Sequence, residues 1–432
     1  MNLNRRNFVR TLGVGTLGAL AAPSLLAASR KPPAQPAPVT LPGYGAKTET
    51  AYWRAVRALY PLQDTPAYLN TGGLGPASQP VLDTVFSTMT ELQQHSETGH
   101  ELFEPARETL ARYLGAAPAE ICFTRNATEA TSIIAAGIAL REGDEVIFES
   151  HAHPGGSFPW FNQEKLRGIK ARVFDPDPAS PAANLARIRE LITPRTRVIQ
   201  VSHITCTTGL LFPVKAIAEL AHAHGAWFHI DGAQSAGMIP VDVHAIGCDS
   251  YAVSGHKWIG GPHESGVLYL RRDRLDDIAV TLVGAHSGEL DHLPGVLKFE
   301  PAATRHEYGT RNAGLACGLA AAVGLQEQIG RERIAAYGHG MATRLLRELA
   351  PVPGIAVLTP RPDEMRGSMI AIAHARADAG KLFGYLVEQH RLRCRPVTEQ
   401  GLQAVRISTH VFNSHAECDR VIAAVQASAR AL

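Results

Sequence analysis

None of the six cysteines in this 432-residue chain is spaced as a CxxC pair. Cys122, Cys206, Cys248, Cys317, Cys394 and Cys418 show no disulfide framework, so buried free thiols are expected. Heptad patterning and internal repeats are also absent, which sets aside coiled coils and solenoids. No apolar run is long enough to make a good membrane-spanning helix. The formal charge is only +2 and no basic stripe stands out, which argues against a nucleic-acid surface. Acid is missing from the first 31 residues, which carry Arg5, Arg6, Arg10, Arg30 and Lys31. Without those five charges the total moves from +2 to −3, so the remainder is mildly acidic.

What is present begins with that basic start. In "NRRNFVRTLGVGTLGALAAPSLLAAS" an arginine pair precedes a short run rich in glycine and alanine, then small residues near Ala27 to Ser29. The segment resembles a twin-arginine export signal over residues 1–30, with Phe8 two places after the pair. A periplasmic location and passage through the twin-arginine translocase are therefore expected, with no stable membrane anchor. A proline-rich linker is expected over 31–45.

At 45% hydrophobic and 19% charged residues the rest reads as globular, and its length suits two domains. "EVIFES" (145–150), "TRVIQVSHI" (196–204), "AWFHID" (226–231) and "GVLYL" (266–270) read as buried strands. They alternate with helical stretches such as "EATSIIAAGIAL" and "VKAIAELAHAH". This alternation predicts an α/β fold with a mostly parallel sheet covered by helices, the large domain spanning 76–325. From about Arg331 a long helix precedes "IAVLTP", "SMIAIAHA", "LRCRPV" and "AVRISTH". Two or three strands with helices on one side predict a small α+β domain over 326–432. Residues 46–75 are expected to pack on it.

One stretch concentrates the chemistry. In "SGHKWIGGP" Lys257 sits between a histidine and a tryptophan, flanked by glycines that let the backbone turn closely. Twenty-six residues earlier, Asp231 ends an apolar strand in "HIDGAQSAG". In an open α/β sheet, ligands collect at the carboxyl ends of strands. A strand-end aspartate and a later loop lysine match the needs of pyridoxal phosphate (PLP): a lysine for its aldehyde and a carboxylate for its pyridine nitrogen. Either residue alone reads as a surface charge. In "FTRNATEATSII" the spacing Asn126 to Glu129 is that of a capping box, and a helix start also suits an anion. Capping alone explains that segment; together with the lysine and aspartate it reads as a phosphate site.

"DGAQSAG" and "SGHKWIGGP" together resemble the signature of class V aminotransferase-fold, fold-type I PLP enzymes, which include cysteine desulfurases and isopenicillin N epimerase-like enzymes. The similarity runs from about Tyr68 to the C-terminus. It implies a dimeric fold-type I enzyme with Lys257 as the Schiff-base lysine, Asp231 as the pyridine partner and Gln234 on the ring hydroxyl. Ser254 and His256, with Ala127 and Thr128 at the helix start, are implied to bind phosphate. His153 is implied to stack on the pyridine face, with His151 as the other choice in "HAH". Nothing in the spacing fixes a third ligand for a metal at that pair. "HEYGTRNAG" resembles the segment whose Thr310 reaches the phosphate of the neighbouring subunit in a homodimer. "AVRISTHVFNSHAE" resembles the motif whose arginine, here Arg406, holds a substrate carboxylate, and Asn70 of "YLNTGGLGP" is implied to line the substrate side. In "HITCTTG" the chain departs from its relatives, leaving Thr205 or Cys206 as the contact to the ring oxygen.

The cofactor does not choose which α-carbon bond breaks. Alternatives are a cysteine desulfurase or a C–S lyase; a desulfurase needs a mobile nucleophilic thiol, and Cys394 is the one cysteine near the right place. Its alternation with Arg393 and Arg395 suggests a strand and a buried thiol instead. Export favours an enzyme of the isopenicillin N epimerase-like type. The layout resembles the periplasmic enzymes that tailor the glutamyl group of pyoverdine siderophores. A PLP-binding sensor is a further alternative, disfavoured because a binder needs no electron sink.

Overall fold

The computed structural model describes residues 39–290, 292–293 and 295–432. The expected export signal and linker residues 31–38 lie outside the described residues. Strands run in chain order as β1 (Ala67–Tyr68), β2 (Ile121–Thr124), β3 (Glu145–Glu149), β4 (Lys170–Phe174), β5 (Thr196–Ser202), β6 (Trp227–Asp231), β7 (Ser250–Ser254) and β8 (Gly266–Leu270). Strands β2 to β8 form one seven-stranded sheet in the order β2-β8-β7-β6-β5-β3-β4. Only β8 runs against the others, pairing antiparallel with both β2 and β7. The sheet is the fold-type I PLP-enzyme arrangement: mostly parallel, with both faces covered.

Strict alternation divides the sheet between two cores. Ile147, Ile199, Phe228 and Val267 face a cluster built with helices Phe103–Leu114, Val214–Ala223 and Ala313–Ile329. Their neighbours Val146, Val198, Trp227 and Leu268 face the opposite cluster, under helices Ala127–Gly137 and Pro154–Arg167. A strand buried on both faces needs apolar residues at every position, which is why these segments read as unbroken apolar runs. Polar residues inside these strands are few, Gln200 and His229 among them, and others stand at the strand ends. Glu149, Ser202, Asp231 and Ser254 are each the last residue of a parallel strand. The run expected to continue to Ile204 stops at Ser202, because His203 N–H turns to the carbonyl of Asp231 at 2.9 Å.

The remaining strands are a two-stranded hairpin, β9 (Gly288–Glu289) with β10 (Lys298–Phe299), then β11 (Ile355–Val357), β12 (Met369–His374), β13 (Leu392–Arg393), β14 (Arg395–Val397) and β15 (Ala404–Ser408). An antiparallel sheet in the order β11-β12-β15-β14 has four strands, one more than the apolar pattern suggested. "LRCRPV" gives this sheet one strand but is not itself a single strand. The chain turns at Cys394, whose N–H reaches Leu392 O at 3.2 Å. Before it, β13 pairs in parallel with β1; after it, β14 pairs with β15.

Period-two geometry then decides where Arg406 goes. Val405 and Ile407 of β15 enter a core with helices Arg331–Leu349, Ala379–Glu388 and His415–Ala431. Arg406 between them must face the other way, toward the seven-stranded sheet. Residues ahead of β1 lie on this half as well: Trp53 stacks on Tyr337 at 3.9 Å between ring centroids. Past β1 the chain runs from Asn70 into the cleft below. No described helix is long and apolar enough to cross a membrane.

Candidate active site

Lys257 sits where β7 ends and the chain makes one irregular helical turn, Gly255–Ile259, with the lysine itself off helical geometry at φ −111° and ψ −110°. The turn is locked by its neighbour. Trp258 is fully buried, and its indole N–H donates to Gln234 Oε1 at 2.8 Å while its carbonyl accepts from Gln326 Nε2 at 2.6 Å. Gly75 comes so near that a Cβ there would stand 1.7 Å from the Lys257 carbonyl oxygen. Glycine is the residue that allows this approach. Burial lowers the Lys257 pKa, opposed by the Asp231 carboxylate. Among the described residues Lys257 has no ion-pair partner, so its amine is more available as a nucleophile than a solvated lysine.

Lys257 lines a cleft of about 250 Å³. Asp231 lines it, with Oδ1 accepting from Ala233 N at 3.0 Å. Gln234 lines it too, its Nε2 donating to the Gly72 carbonyl at 2.8 Å. At one end, helix Ala127–Gly137 points its N-terminus into the cleft. Asn126 caps this helix by accepting from Glu129 N at 2.9 Å, and Ala127 N donates to Ser254 Oγ at 3.2 Å. Capping and an anion cradle are therefore compatible, since the cap leaves the cleft-facing end of the helix in place. His256 adds a buried Nδ1 with no hydrogen-bond partner, and burial, reinforced by Lys257, pushes its pKa down to about 4. An orphaned ring nitrogen is costly unless something polar fills the space beside it. The phosphate, ring and aldehyde of PLP fit this set of groups.

Residues that the sequence left as alternatives differ in where they lie. His153 lines the cleft and caps helix Pro154–Arg167, its Nδ1 accepting from Gly155 N at 3.0 Å. His151 is not among the lining residues. Cys206 lines the cleft, whereas Thr205 Oγ1 is committed to Thr208 Oγ1 at 3.1 Å and Leu210 N at 3.0 Å. Thr128 lines the cleft beside Gly155, where a Cβ would stand 2.2 Å from its hydroxyl. Thr310 is not brought to this cleft within the single chain; it is exposed and lines a separate hollow with Phe123 and Arg125.

Arg406 is 1% exposed. Its Nη1 donates to the Cys206 carbonyl at 2.5 Å and Nη2 to Asn70 Oδ1 at 2.9 Å, while Nε has no partner. Among the described residues no carboxylate pairs with it. Burial lowers its pKa to about 10, the signature of a cation held out of water without a matching anion. Sequence reading missed a second guanidinium. Arg395 of β14 stands directly opposite Arg406 in the ladder and also lines the cleft. Gly72 and Gly73 of the segment after β1 line it as well. The alternation Arg393-Cys394-Arg395 gave no hint, because the turn at Cys394 hands the two arginines to different sheets. Cys394 itself is 3% exposed, and burial pushes its thiol pKa up to about 12.

Residues 81–421 match the family described as Aminotransferase class-V. The chain belongs to that family. It is 28% identical over 397 residues to the isopenicillin N epimerase of Streptomyces clavuligerus, covering 87% of this chain and 98% of that one. The apo cysteine desulfurase of Thermococcus onnurineus NA1 superposes with a TM-score of 0.79 at 25% identity, over 88% of this chain and 98% of that one. A lysine-to-alanine mutant of C-DES, with glycine covalently linked to its PLP, gives a TM-score of 0.78 at 25% identity over 86% and 98%. This class-V chain is thus a PLP-dependent enzyme of fold type I.

Proposed function

We propose that this PLP enzyme transforms the α-amino group or α-carbon of an amino acid or of a glutamyl peptide, and that it does so after export to the periplasm. A siderophore precursor of the pyoverdine kind fits that setting. The observation that carries the reading is Arg406: a fully buried guanidinium without a carboxylate, in the same cleft as Lys257. Such a group is stabilised when a substrate carboxylate enters.

Bound PLP supplies an electron sink for the bonds at the substrate α-carbon. The chain's own groups do the rest. Asp231 would pair with the pyridine nitrogen and keep it protonated. Ser254, His256 and the helix start at Ala127 and Thr128 would hold the phosphate, and His153 would pack on the ring. Arg406 fixes the substrate carboxylate and so sets which α-carbon bond is turned toward the electron sink. The Lys257 amine, which lines the cleft, would carry a proton to or from the substrate α-carbon. Trp258 and the glycines at 72, 73 and 75 hold the walls close and limit water.

A desulfurase or C–S lyase is the second reading, favoured by the solved structures named above. Burial of the Cys394 thiol weighs against the desulfurase, because a buried thiol held protonated is a poor nucleophile. A homodimer completed by Thr310 is part of the proposal, supported by its exposure away from the cleft. Sedimentation of the purified protein tests it, and a monomer with full cofactor occupancy would refute it.

The deciding experiment mixes the purified PLP-loaded protein with amino acids and glutamyl peptides and follows the cofactor spectrum. Spectral change and turnover with a carboxylate-bearing amine, without sulfide release, are expected. Sulfide release from cysteine as the fastest reaction would replace the proposal by the desulfurase reading.

A further inference from the structure

Arg395 and Arg406 are direct partners across the β14–β15 ladder, so their side chains leave the sheet on one face. Like charges in that position repel. The two guanidiniums are nevertheless treated differently by their surroundings. Among the described residues no carboxylate is paired with Arg406, which feels Glu399 only through space, whereas Arg395 Nη2 is paired directly with Glu399 Oε1. Arg395 also keeps a buried Nη1 that has no partner.

Glu399 belongs to the short connection between the two strands, and that connection is built unfavourably. Gln400 and Gln403 both have left-handed backbones, at φ 56° and 45°, on either side of Gly401 at φ 69°. Left-handed geometry disfavours residues with a Cβ, and such strain gathers where a segment must hold or release something. A carboxylate is therefore held on a cleft-lining arginine by a strained turn.

We propose that Arg395 is a second anion subsite, occupied in the empty enzyme by Glu399, and that a substrate's distal carboxylate displaces Glu399 from it. The substrate class is then an amino compound with two acidic groups, one held by Arg406 and one by Arg395. This rests on the carboxylate-anchored reading above and narrows it. Charge supports the exchange. Once Glu399 leaves Arg395, the two guanidiniums that line the cleft are two cations for two carboxylates.

The test uses the PLP-loaded protein and two unreactive probes, butyrate and glutarate, which differ by one carboxyl group. Calorimetric titration at fixed ionic strength reads their dissociation constants. Wild type is expected to bind glutarate about tenfold or more tightly than butyrate, as a second charge-assisted pair implies. Arg395→Gln is expected to abolish that preference while leaving butyrate affinity within about twofold, and Glu399→Gln to tighten glutarate binding severalfold by removing the competitor. Equal affinity for the two probes in wild type overturns the second subsite, and needs no variant to fold. So does an Arg395→Gln protein that loses butyrate and glutarate alike, since the two arginines would then clamp a single carboxylate. Weaker glutarate binding in Glu399→Gln would make Glu399 a support for Arg395, not its stand-in ligand, and would also overturn it. Butyrate binding that does not depend on Arg406 would instead sink the underlying one-carboxylate reading.

Discussion

Arg406 donates a 2.5 Å hydrogen bond to the carbonyl of Cys206, a residue 200 positions earlier in the chain. With this bond the second sheet reaches into the cofactor cleft. It ties the arginine to the turn after β5, beside the cofactor, so that a substrate carboxylate and the reactive lysine share one enclosure.

Arg406→Ala should raise the KM for carboxylate-bearing amines by an amount equivalent to about 2–5 kcal/mol of lost binding, as expected for a buried charge-assisted contact. The visible absorbance of bound cofactor should not change. An amine without a carboxylate should be affected much less. Steady-state kinetics on a matched pair of amines checks this, and equal losses on both would make Arg406 structural.

Lys257→Ala should remove the visible absorbance that PLP gives with wild type, because no other buried amine lines the cleft among the described residues. Asp231→Ala should retain some cofactor yet lose roughly a hundredfold or more in kcat, since a neutral pyridine nitrogen withdraws fewer electrons. Spectra and single-substrate kinetics on the two variants separate covalent attachment from electron withdrawal. Near-normal turnover of Asp231→Ala would remove it from the nitrogen.

Cys394→Ala should leave turnover of the true substrate within about threefold, because a thiol with a pKa raised to about 12 supplies almost no thiolate at neutral pH. The same burial should protect it from alkylation in the native protein, which mass spectrometry after iodoacetamide treatment would read. Loss of turnover on substitution would revive the desulfurase reading.

Glu149 ends β3 fully buried, with Oε1 accepting from Ser202 N at 3.0 Å and Oε2 unpartnered. Burial, with a smaller push from Asp231, raises its pKa to about 7. The native state therefore holds a proton that the unfolded chain releases above about 4.5. Stability from this group is complete below pH 4.5 and is lost as pH rises through about 7. The full swing is roughly 3 kcal/mol at about 1.4 kcal/mol per pKa unit. Glu149→Gln should flatten that part of the profile, melting higher than wild type at pH 8 and little differently at pH 5. Thermal denaturation at the two pH values decides it; parallel profiles would show that Glu149 is already ionised in the fold.

Much of the cleft was legible because its parts are local. A strand-end aspartate, a helix cap and a glycine-flanked lysine are each written in under ten consecutive residues, and apolar runs on a two-faced sheet make a polar residue at a strand end stand out. Arg406 was legible for the same reason: one charge in an apolar strand must face away from the core its neighbours fill. Tertiary structure decided what depends on distant partners. "HAH" and "HITCTTG" each offered two residues, and it is His153 and Cys206 that the turns around them bring to the cleft. The run "LRCRPV" carries a strand pattern throughout, yet β13 joins the strand at Ala67 and β14 the strand at Arg406, because backbone groups pair with whatever edge the fold presents. That exchange of partners buried Cys394 and set Arg395 opposite Arg406. No local pattern encodes it, since the pairing strands are separated in sequence and their meeting is fixed only when both sheets have packed.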